Sequence, residues 1–72
     1  MGSRNVTIYG KDTCPYTEAA RDDYERRDYA VDYRNVKKDG AALDEMLGLT
    51  GGQRRVPVIV EEGRVTIGFG GT

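Results

Sequence analysis

The sequence predicts an α/β fold: a mixed four-stranded sheet in the chain order β-α-β-α-β-β, with helices on both faces. Three observations carry that prediction. Three short segments alternate or run apolar in the manner of strands. Two segments between them repeat their apolar residues at helical spacing, and a Glu-Glu-Gly-Arg turn closes an antiparallel pair near the end. At 72 residues the chain has room for one such domain, 1–72, and no linker, repeat or low-complexity block divides it.

Residues 4–9 alternate, with Val6 and Ile8 pointing one way and Thr7 and Tyr9 the other, which suits a strand. Gly10, Asp12 and Thr13 then break the chain into a turn. From residue 15 to about 27, Tyr16, Ala19, Ala20 and Tyr24 fall on one narrow helical face. The rest of that segment is charged, and Asp22–Arg26 and Asp23–Arg27 are acid-before-base pairs one turn apart. A solvated helix surface accounts for this charge run. Residues 29–36 alternate again, and the polar face of Asp32 and Arg34 predicts an edge strand or a one-sided sheet. Asp39 is the expected N-cap of a second helix, in which Leu43, Met46, Leu47 and Thr50 share a face. Gly51-Gly52 stops it. Residues 56–60 are apolar on both faces, as a strand buried between helices would be. Residues 61–64 read as a hairpin turn and 65–67 as the return strand. The first two strands, joined through a helix, should be parallel with a right-handed crossover.

Composition closes several functional classes. Eleven Lys and Arg against twelve Asp and Glu give a net charge of −1, without the basic footprint of a nucleic-acid binder. No apolar run approaches the roughly 20 residues of a membrane span, and no export signal opens the chain. A lone thiol in such a chain fits the reducing cytoplasm. One cysteine forms no internal disulfide, and the absence of histidine removes the usual zinc frameworks and any Cys–His pair. No metal site is expected. Leu, Ile, Val and Phe make only 14 of 72 residues, but the near-zero net charge and five tyrosines favour a folded chain.

The residue placed to do chemistry is Cys14, between a turn and the start of the first helix. Backbone N–H groups at a helix start are unpaired and carry partial positive charge, so a thiolate there is stabilised. Pro15 suits the first helical turn because it has no N–H to leave unpaired, and Lys11 adds a cation nearby. The bland alternative is a small buried hydrophobe, the commoner fate of a free cysteine. The turn before Cys14 and the proline after it argue for a reactive thiol instead.

These residues resemble glutaredoxins. Residues 6–9 followed by Lys11-Asp12-Thr13-Cys14-Pro15-Tyr16-Thr17 look like the opening strand and active-site loop of that family, whose motif is Cys-Pro-Tyr-Cys. Val56-Pro57 ahead of Val58-Ile59-Val60 resembles its Val-Pro strand entry, and Gly68 falls near its glycine pair. The resemblance spans essentially the whole chain and implies a thioredoxin-like fold. It implies that Cys14 is the nucleophile toward a glutathione mixed disulfide, and that Lys11 contacts the glutathione glycine carboxylate. Pro15 and Tyr16 would shape the thiol's surroundings. Pro57 would be cis, so that Val56 presents its backbone to the bound peptide, with Gly68 beside it. No bound cofactor is implied; glutathione would be a co-substrate.

Several departures shape the expected chemistry. Thr17 stands where dithiol members carry a second cysteine, so the expected route is monothiol exchange, with glutathione or another external thiol releasing Cys14. Thr17 could donate its hydroxyl to the thiolate. Phe69-Gly70-Gly71-Thr72 replaces the acidic residues that hold the glutathione amine, and its Gly-Phe pair is nearer to redoxins that serve thioredoxin reductase. The usual C-terminal helix after the hairpin is lacking, which would leave part of one sheet face bare unless a homodimer covers it. The Cys-Pro-Tyr-Thr site is also similar to that of bacterial glutaredoxin-like proteins that carry selenocysteine at the position of Cys14. Two other functions stay open at this level: an iron–sulfur cluster carrier using one cysteine from each of two chains plus glutathione, and a redox-inert interaction domain.

Overall fold

The computed structural model describes residues 4–70, and its elements follow the expected order. Strand β1 (Asn5–Gly10) leads to helix α1 (Pro15–Arg26) and strand β2 (Ala30–Asn35). Helix α2 (Gly40–Thr50) leads to strands β3 (Val58–Glu61) and β4 (Arg64–Ile67). The four strands lie in the order β2-β1-β3-β4. β1 and β2 are parallel in the register Val6↔Val31 and Ile8↔Tyr33. β3 runs antiparallel to both β1 and β4, with Ile8↔Ile59 and Ile59↔Thr66. β2 is an edge strand, which explains why Asp32 and Arg34 are tolerated on it.

Alternation along the strands divides the core into two layers. Val6, Ile8 and Ile59 pack under Ala20 and Tyr24 of α1, with Tyr29, Val31 and Phe69 around them. Tyr9 and Val58 face the other way, against Ala42 and Met46 of α2, with Val60 and Ile67 alongside. Ile8, Met46 and Val58 are fully buried, and burying a side chain of this size contributes roughly 1.5–3 kcal/mol. Both layers meet at β1 and β3, the two central strands.

Each helix turns a different stripe to the sheet than apolar type alone predicts. α1 buries Thr17, Ala20 and Tyr24, while Tyr16 and Ala19 face solvent. Threonine presents a methyl as well as a hydroxyl, and Gly10 leaves room for both: a Cβ at position 10 would run into Thr17 Oγ1, Cγ2 and Cβ. On α2 the buried residues are Ala42 and Met46, with Leu43 beside them. A small residue lets the helix backbone approach the sheet, so the stripe centres on Ala42. Asp39 accepts a hydrogen bond from Ala41 N–H at 3.0 Å, and Gly51 ends the helix at φ 71°. Of the expected α1 ion pairs, Asp23–Arg27 forms at 3.0 Å. Arg26 pairs instead with Asp23, at 3.9 Å and three residues apart.

Strand β3 begins at Val58 rather than at residue 56, because Pro57 has no N–H for the ladder. Among the described residues no helix follows β4. The sheet face on the α1 side is nevertheless not bare apolar surface. Ile59 is only 3% exposed, and its neighbours on that face by register are the polar Thr66, Arg64 and Glu61. Glu61 is held by two phenols, Tyr24 O–H donating to Oε1 at 3.3 Å and Tyr29 O–H to Oε2 at 2.6 Å. The part of this face beyond Ile59 is thus polar rather than bare hydrocarbon. Gly71 and Thr72, part of the expected departure after the glycine pair, lie outside the described residues. No described helix is long and apolar enough to cross a membrane.

Candidate active site

The site is built where β1 hands over to α1. Cys14 is the N-cap of α1, extended at φ −93° and ψ 115°, with Pro15 in the first turn as the sequence predicts. Its own N–H donates to Lys11 O at 3.2 Å, and its carbonyl accepts the first helical bond from Glu18 N–H at 3.1 Å. The Cys14 side chain is a free thiol and retains 9% exposure, so it is more enclosed than a turn position suggests. It belongs to neither core layer.

Burial alone pushes the Cys14 thiol up. The Thr17 hydroxyl, the backbone N–H groups of Thr17 and Tyr16, and the charge of Lys11 outweigh it, so the thiol sits below its ordinary value of 9.0. Two of these are amides of the first helical turn, which have no partner within the helix. Thr17 is 1% exposed, and its Oγ1 has no hydrogen-bond partner in place. The idle hydroxyl and its lowering of the thiol's pKa fit different protonation states. A neutral thiol is a weak acceptor and leaves the hydroxyl idle, whereas a thiolate is a strong one and gives it a partner.

The other sequence-predicted residues form a second group. Val56–Pro57 is a cis peptide. Pro57 is fully buried, and Gly68, at φ 94°, donates its N–H to Pro57 O at 2.7 Å. Val56 is half-buried. The register Tyr9↔Val58 carries this strand entry to the end of β1, from which the Cys14 loop departs. Tyr16 stays 43% exposed beside the thiol, available to a partner rather than to the core. Among the described residues no cluster of three or more His, Cys, Asp or Glu is arranged to hold a metal.

Sequence reasoning missed two contributors. Gly10, read as a turn residue, ends β1 and makes the space that Thr17 occupies. Asp12, read as a turn former, is gripped from elsewhere in the fold: Tyr33 O–H donates to Oδ1 at 2.8 Å, and Lys38 Nζ stands 3.4 Å from Oδ2. A glycine four residues ahead of a helix-start cysteine is a signal for the first. Nothing local signals the second.

A thiol on a helix N-terminus beside a cis-proline strand entry defines a redoxin-type site on this sheet. The glutaredoxin family model matches residues 6–66, and the chain belongs to the glutaredoxin family. No curated protein matches it in sequence. Among solved structures it is similar to the glutaredoxin (grx-1) of Archaeoglobus fulgidus, with a TM-score of 0.80 and 20% identity over 96% of this chain and 79% of that one. It is also similar to a mutant of the thioredoxin-like protein BC3987, with a TM-score of 0.82 and 26% identity over 90% of this chain and 86% of that one. These likenesses agree with the thioredoxin-like fold.

Proposed function

We propose that the protein is a monothiol thiol–disulfide oxidoreductase in which Cys14 is the nucleophile and glutathione the co-substrate. The observation that carries this reading is the free Cys14 thiol at the N-cap of α1, a position that favours thiolate, the attacking species. The Cys14 thiolate attacks the glutathione sulfur of a mixed disulfide. A Cys14–glutathione disulfide forms and the substrate leaves as its thiolate, taking up a proton. A second glutathione thiolate then attacks the bound glutathione sulfur, releasing oxidised glutathione and regenerating the Cys14 thiolate. Net of both steps, one mixed disulfide and one reduced glutathione give the substrate thiol and oxidised glutathione, and no second protein thiol takes part, in keeping with a chain that holds one cysteine.

In this reading the Thr17 hydroxyl and the Tyr16 and Thr17 amides stabilise the thiolate as attacker and as leaving group. Lys11 supplies a cation for a substrate carboxylate, and Tyr16 offers an exposed ring to the bound peptide. Pro15 fixes the helix entry. Val56, Pro57 and Gly68 form the backbone shelf opposite. A cytoplasmic setting, where glutathione is abundant and reduced, suits the cycle. The test is mass spectrometry after incubation with oxidised glutathione. One glutathione adduct on Cys14, removed by reduced glutathione, is the expected result; a thiol that takes no adduct overturns the proposal.

A further inference from the structure

The loop between β1 and α1 carries a carboxylate two residues ahead of the thiol, and two side chains hold it, one of them backed by a third. Tyr33 on β2 donates its phenol to Asp12 Oδ1 at 2.8 Å, and Lys38 on the loop after β2 reaches Oδ2 at 3.4 Å. Arg21 on α1 lies over the Tyr33 ring, 3.9 Å from its centroid. Asp12 itself is exposed, and it sits between Lys11 and the turn that ends at Cys14. We propose that Tyr33 and Lys38 are positioning residues that hold the Asp12 carboxylate off the Cys14 sulfur, leaving Lys11 as the charge that acts on it.

The electrostatics agree with the geometry. Asp12 is held below the ordinary carboxylate value, first by the Tyr33 hydrogen bond and then by Lys38. Burial and the Asp12 bond push the Tyr33 phenol up to about 12, and the charge of Cys14 reaches it too, so this cluster and the thiol share one field. At neutral pH the phenol is therefore a permanent donor. Lys11 and Asp12 belong to the loop that leads to Cys14, Tyr16 and Arg21 belong to α1, and Tyr33 and Lys38 come from β2 and the loop after it. The entry to β3 brings the non-titrating Val56 and Pro57, preceded in sequence by Arg54 and Arg55. Asp12 is the carboxylate in that loop. Released, it would neutralise Lys11 or approach the sulfur directly, and either change disfavours the thiolate.

This inference rests on the reactive thiol proposed above. Its test is the rate of iodoacetamide alkylation against pH for the wild type, Tyr33→Phe, Asp12→Asn and the double variant. Tyr33→Phe is expected to raise the alkylation midpoint by about one pH unit, the size of a displaced unit charge at a few ångströms near a surface. In the double variant the midpoint returns to the wild-type value or below. Lys38→Gln, on a side chain 76% exposed and safe for folding, shifts the midpoint the same way. A Tyr33→Phe shift that persists in the double variant makes Tyr33 a merely structural residue and overturns the proposal, as does no shift in either single variant. A wild-type midpoint at the ordinary thiol value counts against the proposed function instead, and the differences among variants still read the clamp.

Discussion

Thr17 buries a hydroxyl with no partner in place, a state that costs about 1–3 kcal/mol and is rarely kept without a reason. Gly10 makes the burial possible, since any larger residue there would occupy the space of the Thr17 side chain. The hydroxyl is one of the groups that hold the Cys14 thiol below its ordinary value. Valine at this position keeps the branched shape and deletes the oxygen. Thr17→Val is therefore expected to raise the pH midpoint of Cys14 alkylation. The urea midpoint should be unchanged or higher, by up to about 1 kcal/mol, because an unpaired polar atom has gone. Loss of stability with an unmoved alkylation midpoint would show that the threonine is only packing.

At the scale of elements, the β3–β4 hairpin turns on two residues, Glu62 at φ 52° and Gly63 at φ 79°. Two left-handed residues in a two-residue loop make the type I′ geometry that matches strand twist, for which Asn-Gly is the favoured pair. A left-handed conformation costs an ordinary L-residue roughly 1–2 kcal/mol, and asparagine relieves part of it. Glu62→Asn is accordingly expected to stabilise the fold by up to about 1 kcal/mol, read as a higher urea midpoint with an unchanged slope; a lower midpoint would contradict this account of the turn. This hairpin was legible in the sequence, as were the strands and the caps of α2, because alternation and turn chemistry are local. The faces of the helices were less so. Tyr16 and Ala19 are apolar by type, yet the groove that admits Thr17 instead belongs to Gly10 on another element. The grip on Asp12 was not legible at all, since Tyr33 lies 21 residues away and meets it only once β2 has paired with β1. The place of Cys14 at a helix start was legible because the turn before it and Pro15 after it are local signals.

For the molecule as a whole, the radius of gyration of 11.4 Å is that of a fully compact chain of this length, about 11 Å. Far from Cys14, at the other end of α1, a cluster of side chains gathers around one carboxylate. Glu61 of β3 accepts from Tyr29 and Tyr24, Arg27 lies over both rings at 5.1 and 4.4 Å from their centroids, and Arg4 donates to the Tyr29 oxygen at 3.4 Å. The clasp ties the start of β1, the end of α1 and the hairpin together over Ile59. The Tyr29 hydrogen bond chiefly, then the Tyr24 bond and the two arginines, hold Glu61 below the ordinary value of 4.5. A carboxylate whose pKa is depressed by folding contributes stability that is fully present above its unfolded value and is lost as pH falls through the folded one. Glu61→Gln keeps an acceptor for the phenols and removes the charge. The variant is thus expected to melt below the wild type at neutral pH, and the two melting temperatures should converge as pH falls below 4.5. Asp12 and the other carboxylates are common to both proteins and cancel in the comparison. Parallel melting curves across that range would mean that the charge of Glu61 contributes nothing to closing this end of the sheet.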